Sequence, residues 1–328
     1  MNLEALKKRM KGIFVVQATP CTRNGEVDLE GLKENTRFLL DRMAGKDVTL
    51  VPAGSTGEFY ALSDEDRKQV IRTVVDEVNG RMPVLAGTAQ AATAETLKMS
   101  RYAEEVGADG VQVVLPYYHI PNEEGMYEHF RTVAEGIGIG LMIYNNPAVS
   151  KCWIKPPLMA RLSEIEHIIA DKENTPDVIQ FDAMRRTVDP SKMTILCGLG
   201  EYMFSFEAAC GCPGFVTWIG NFAPEISYEL YEAATAVDFK RVRKVMERLM
   251  PLWTFTGEVC ASHGASTDVL AAPYYGEGDH MYVSVMKAAM DLLGLCAGAP
   301  LLPLMPLTAE ETSRLREVLL QMGLKVVR

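Results

Sequence analysis

Eight short runs of apolar, β-prone residues, each followed by a longer amphipathic stretch, constrain the fold of this chain more than any other feature. They lie near residues 13–18, 48–53, 83–87, 110–115, 140–145, 168–172, 194–198 and 214–218. Each is close to continuously apolar, as parallel strands become when helices cover the sheet. Between them, helices are predicted over 29–43, 64–79, 94–106 and 123–135. Ser63-Asp64-Glu65-Asp66 supplies an N-cap with acids in the first turn, and Thr93 stands in a similar capping context. Eight strands in this order match a (β/α)8 barrel of the TIM type, which occupies about 220–235 residues here. An open doubly wound sheet needs a Gly-rich turn after the first strand, and Ala18-Thr19-Pro20-Cys21 does not supply one.

The chain has 328 residues, more than the barrel needs. The expected division is a barrel over 1–236 and a C-terminal helical annex over 237–328. Helical runs at 239–252, 280–293 and 309–322 fill the annex, and a long loop is read over 256–278. Lys and Arg number 33 against 43 Asp and Glu, a net charge of −10, which disfavours nucleic acid or an anionic membrane as partner. No apolar run reaches the roughly 18 residues a membrane span requires. Seven scattered cysteines suit reduced thiols and a cytoplasmic setting, and Cys210-Gly211-Cys212 is a poor match to zinc spacing. The five histidines show no metal-ligand spacing either, so no metal is expected.

Barrels of this type carry their chemistry at the carboxyl ends of the strands. There the chain has Gly54-Ser55-Thr56-Gly57-Glu58, Pro116-Tyr117-Tyr118-His119, Tyr144-Asn145-Asn146-Pro147 and Asp171-Lys172-Glu173-Asn174. Lys172 points inward if Ile168 and Ala170 do, because side chains alternate along a strand. Inside a barrel an ammonium loses water, its pKa falls, and the free amine can attack a ketone. A lone lysine at a strand end more often reaches solvent. Three tyrosines and two hydroxyls on neighbouring strands reverse that weighting. Asp171 and Glu173 then face the helices, where Asp171 needs a partner that the sequence does not identify. Tyr144 can pass a proton to substrate oxygen, though most such tyrosines are simply packed. Ser55 and Thr56, between two glycines, can present N–H groups to a carboxylate, or form an ordinary turn.

Taken together these residues resemble the N-acetylneuraminate lyase / dihydrodipicolinate synthase family of pyruvate-type class I aldolases, over roughly 12–307. Gly54-Ser55-Thr56-Gly57-Glu58 is similar to its carboxylate loop and Tyr144-Asn145-Asn146-Pro147 to its tyrosine motif. Lys172 resembles its Schiff-base lysine. Gly87-Thr88, Pro116-Tyr117-Tyr118 and Leu304-Met305-Pro306-Leu307 also match. The resemblance implies that Lys172 condenses with a 2-oxo acid and that no separate cofactor is needed. It implies a proton relay of Tyr144, Ser55 and Tyr118, with the Tyr118 counterpart often supplied by a neighbouring subunit of a dimer or tetramer. Ser55, Thr56 and the Val216 carbonyl would face the keto acid.

Departures concern the distal substrate pocket. Val149 stands where dihydrodipicolinate synthases carry an arginine for the second carboxylate, and an aliphatic side chain cannot make that contact. Glu201 matches part of the sialic acid lyases' sugar-binding loop, but Trp218 replaces their serine. Ala91 stands where lysine-inhibited synthases have asparagine. The resulting expectation is a lyase acting on a 2-oxo acid whose distal end is less anionic than aspartate semialdehyde. Alternatives are a dehydratase or deaminase using the same imine, or a keto-acid-binding protein without catalysis.

Overall fold

The computed structural model describes residues 1–22, 24–263 and 281–327. Eight parallel strands form the barrel: β1 (Gly12–Val16), β2 (Val48–Val51), β3 (Leu85–Gly87), β4 (Gly110–Val114), β5 (Gly140–Asn145), β6 (Ile168–Glu173), β7 (Thr194–Cys197) and β8 (Gly214–Thr217). Their order runs β2-β1-β8-β7-β6-β5-β4-β3, and a parallel bridge from Leu50 to Val84 closes the ring. Every expected strand is present within two residues of its predicted place.

Two apolar layers explain the runs. Ile13, Val15, Leu141 and Ile143 point outward into a large core shared with the covering helices. Phe14, Val16, Val51, Leu85, Met142, Leu196 and Val216 point inward, and Leu6 and Met10 from the N-terminal segment plug the barrel's amino end. The helices follow from apolar faces and caps. Ser63 Oγ accepts from the Asp66 N–H at 3.1 Å and starts helix Asp64–Val78. Thr93 does not cap its helix. It is the first helical residue, and its hydroxyl pairs instead with His129 Nδ1 at 2.9 Å.

The expected alternation in β6 needs one correction. Ile168 lies in the outer layer, not the inner one. Leu141 pairs with Ile168 but Met142 pairs with Ala170, so Ile169 bulges out of register and turns inward beside Ala170. That one-residue slip resets the phase, and Lys172 lies two residues beyond inward-facing Ala170. Asp171 and Glu173 are fully buried. Glu173 disfavours ionisation of Asp171, while the hydrogen bond from Asp171 favours that of Glu173. Burial, then Glu173, raises the Asp171 pKa well above the usual range, and burial pushes Glu173 up to about 8 despite the Asn145 amide at 2.8 Å.

The annex comprises helices Phe239–Ser262, Tyr282–Leu292 and Ala309–Gln321, and its apolar faces continue the outer core through Val245, Leu252, Met286 and Leu315. The first includes Pro251, as expected, and runs ten residues past its expected end into the stretch read as loop. Its buried stripe of Leu249, Leu252, Phe255, Thr256 and Val259 keeps helical spacing, and that packing outweighs the proline. The remainder of the expected 256–278 loop, from 264 onward, lies outside the described residues.

Because the folded-state pKa of Glu173 is raised, stability associated with its proton is present below about pH 4 and is lost as pH rises towards 8. Asp171→Asn gives Glu173 an amide donor in place of a second acid. Thermal melts from pH 5 to 8.5 should therefore fall more steeply for the wild type than for the variant. Parallel curves would rule out the shared-proton pair.

Candidate active site

Tyr144 and Lys172 are direct register partners at the carboxyl ends of β5 and β6. The Lys172 amine sits 3.5 Å from the centroid of the phenol ring. Across β6 the next partner is Leu196, and Val216 follows on β8 in the same inner layer. Lys172 is 4% exposed. Burial pulls its pKa down from 10.5 to about 7. A lysine shift of that size reflects several kcal/mol of lost hydration. A cation over an aromatic face returns only ~2 kcal/mol when desolvated. Desolvation wins, and a large share of the amine is uncharged near neutrality.

The Tyr144 phenol is pushed up by burial to about 12 and keeps its proton. Asn146 Nδ2 donates to its oxygen at 2.7 Å and Asn174 Nδ2 at 3.4 Å, and the Ser55 hydroxyl also bonds to it. Asn146 reaches back because it caps the short helix Pro147–Ser150. Asn174 lies against Gly198, where an added Cβ would stand 1.8 Å from Asn174 Oδ1.

Ser55 and Thr56 sit in a tight turn closed by Gly57 N–H donating to Gly54 O and Glu58 N–H to Ser55 O, both at 3.0 Å. A Cβ on Gly57 would meet Gln17 O at 2.6 Å, so only glycine fits. Among the described residues no protein group accepts from the Ser55 or Thr56 N–H, a pair of donors suited to an anion. Thr56 Oγ1 lies 3.4 Å from the Tyr282 hydroxyl, contributed by the annex. Between this loop and Tyr144 is a small hollow, walled by Phe59, Ala89, Val114 and Gln112.

The expected residues divide. Lys172, Tyr144, Ser55, Thr56 and Val216 converge. Val149 packs, half-buried, against the apolar group of Phe59, Ala89, Val114 and Tyr144. Trp218 is buried in an aromatic cluster with Phe222, Trp253 and Tyr282. Glu201 does not join them: fully buried, it accepts from Thr217 at 2.5 Å and Ser227 at 2.6 Å, behind β8. Tyr118 is 74% exposed with its ring against His119, and no described hydrogen bond links it to Tyr144. Sequence reasoning did not single out Asn146, Asn174 or Tyr282. An asparagine before a proline marks Asn146 as a cap, but nothing local marks Tyr282.

The family model for the dihydrodipicolinate synthetase family matches residues 9–322. The chain belongs to that family. It is 34% identical to 4-hydroxy-tetrahydrodipicolinate synthase of Methanopyrus kandleri, over 96% of this chain and 97% of that protein. The solved dihydrodipicolinate synthase from Aquifex aeolicus superposes with a TM-score of 0.83 at 32% identity, covering 97% of this chain and all of that one. YagE, a prophage protein of the family from E. coli K12 solved in complex with pyruvate, gives 0.83 at 29% identity over 96% and 99%. This member of the family is an aldolase-like lyase. No helix among its described residues is long and apolar enough to cross a membrane.

Gly198→Ala should drive Asn174 away from the phenol. The expected result is a loss of about 1–3 kcal/mol in denaturant melts, as for overpacked sites. A variant as stable as wild type would show that Asn174 has room to move.

Proposed function

We propose that Lys172 forms an imine with C2 of a 2-oxo acid, pyruvate or a derivative, and that this imine is the enzyme's working intermediate. The buried Lys172 amine, 3.5 Å from the centroid of the Tyr144 ring and with its pKa drawn down towards neutrality, carries this reading. The nitrogen lone pair attacks the ketone carbon. The carbinolamine hydroxyl takes a proton and leaves as water, and the Tyr144 phenol, steadied by Ser55, Asn146 and Asn174, is the donor in reach. The resulting cationic imine draws electrons from C3, so a C3–H bond or the adjacent C–C bond can break and later re-form. The Ser55 and Thr56 N–H groups hold the carboxylate, and the Val216 carbonyl lines the keto-acid seat. The full assembly, in this proposal a homodimer or homotetramer, brings Tyr118 of a neighbouring copy to the relay.

The wall next to Tyr144 favours a substrate with an uncharged distal end. Val149, Phe59, Ala89 and Val114 offer no partner to a second carboxylate, and leaving one unpaired there is costly. This separates the proposed substrate from aspartate semialdehyde, although relatives are named as 4-hydroxy-tetrahydrodipicolinate synthases.

Borohydride reduction in the presence of pyruvate, followed by peptide mass analysis, should place the adduct on Lys172. An unmodified lysine would leave a keto-acid-binding protein without the chemistry. The trapping rate should rise with pH and reach half its maximum near pH 7, since only the free amine attacks. A midpoint near 10 would mean that the amine is hydrated. Tyr144→Phe should still trap pyruvate yet lower turnover on a panel of 2-oxo acids by about 10²–10⁴-fold, the range of a lost proton donor. Undiminished turnover would remove the phenol from the mechanism.

A further inference from the structure

The loop that presents the Ser55 and Thr56 N–H groups lies between two non-glycine residues in left-handed backbone, Ala53 at φ 54° and Glu58 at φ 58°. Such backbone persists only where the surroundings enforce it. Here the enforcing contacts come from the annex. The Glu58 carboxylate, fully buried, is ion-paired with Lys287 of helix Tyr282–Leu292, itself 1% exposed. Glu58 Oε1 also accepts the Leu301 N–H at 2.5 Å, and Lys287 Nζ donates to Ala299 O at 3.1 Å. From the start of the same helix, Tyr282 reaches Thr56. On the barrel side Thr19 Oγ1 donates to Gly57 O at 2.8 Å.

A buried ion pair adds little net stability over an apolar pair of the same shape, because both charges lose their water. What this pair supplies is geometry. It fixes the residue that ends the loop, in a strained conformation, to a helix more than two hundred residues later in sequence. We infer that Glu58 and Lys287, with Tyr282 on Thr56, form a clamp through which the C-terminal annex sets the backbone of the keto-acid carboxylate seat. Glu58 and Lys287 touch no substrate and are positioning residues. The inference rests on reading this loop as the carboxylate seat. Lys172 and Tyr144 stand on strands that the clamp does not touch. Ser55, on the same loop, also bonds to the Tyr144 phenol, so releasing the clamp weakens capture of the acid first and slows the bond-forming step by a smaller factor.

Lys287→Met alone strands a buried carboxylate and threatens folding. The Glu58→Gln/Lys287→Met double variant removes both charges and keeps an acceptor for the Leu301 N–H. Two readouts are needed. One is the calorimetric Kd for pyruvate in a Lys172→Ala background, where no imine can form. The other is borohydride trapping with Lys172 present, as a function of pyruvate concentration. The clamp predicts that Kd and half-saturation both rise about tenfold, with the maximal trapping rate falling by a smaller factor and its pH midpoint unchanged. A folded double variant with parental Kd and half-saturation overturns the clamp, as does a lower maximal rate at unchanged half-saturation. Tyr282→Phe, which keeps the ring and loses the Thr56 contact, carries the same test if the double variant does not fold. Raised Kd without any trapping overturns the imine reading and leaves the clamp standing. Pyruvate binding to neither parent overturns the seat and the clamp together.

Discussion

The removal of water from a single ammonium group governs the chemistry of this barrel. Lys172 projects into a closed ring of strands whose inner layer beneath it is Met142, Ala170, Leu196 and Val216, all apolar. Neutralising the amine relieves most of that penalty, so the lowest-energy form of the buried side chain is also the nucleophilic one. The phenol beside it experiences the same burial with the opposite consequence. Burial makes the lysine release its proton more readily and the tyrosine hold its own more tightly. One environment thereby places a free amine and a neutral phenol in contact near neutral pH.

That arrangement would fail if strand β6 did not separate its two faces. Asp171 and Glu173 flank Lys172 in sequence, and an ionised carboxylate next to the amine would hold its proton in place. Strand alternation sends both to the far side of the sheet, where burial raises the pKa of each and both remain largely protonated. The sheet thus carries a neutral amine on one face and an acid pair on the other, one residue apart.

The proposed carboxylate seat is built differently from the lysine site. Strands fix Lys172 and Tyr144 by register, but Ser55 and Thr56 lie on a loop between left-handed Ala53 and Glu58. Support arrives from the helices after the barrel, whose apolar faces are continuous with the outer core. The annex is therefore tied to the reaction site mechanically, through buried polar contacts, while its bulk serves packing. Glu201 illustrates the same economy in reverse. Its carboxyl, expected to line the distal pocket, is here held by two hydroxyls between sheet and helix.

Patterns of short range were legible in the chain: eight apolar runs, the capped helices between them, and a lysine, a tyrosine and a Gly-Ser-Thr-Gly turn at strand ends. These depend on neighbours within a few residues, where periodicity and backbone preference act. The bulge at Ile169, the extension of the first annex helix to Ser262, and the diversion of Glu201 and Thr93 to structural partners were decided by packing between elements remote in sequence. So were the amide of Asn174 on the phenol and the reach of Tyr282 and Lys287 into the loop after β2. The sequence by itself determined which reactive residue types stand at the strand ends, because that follows from residue type and strand position. Only the tertiary structure decided their ionisation and their company, because water is excluded and charges are paired by parts of the chain that meet on folding.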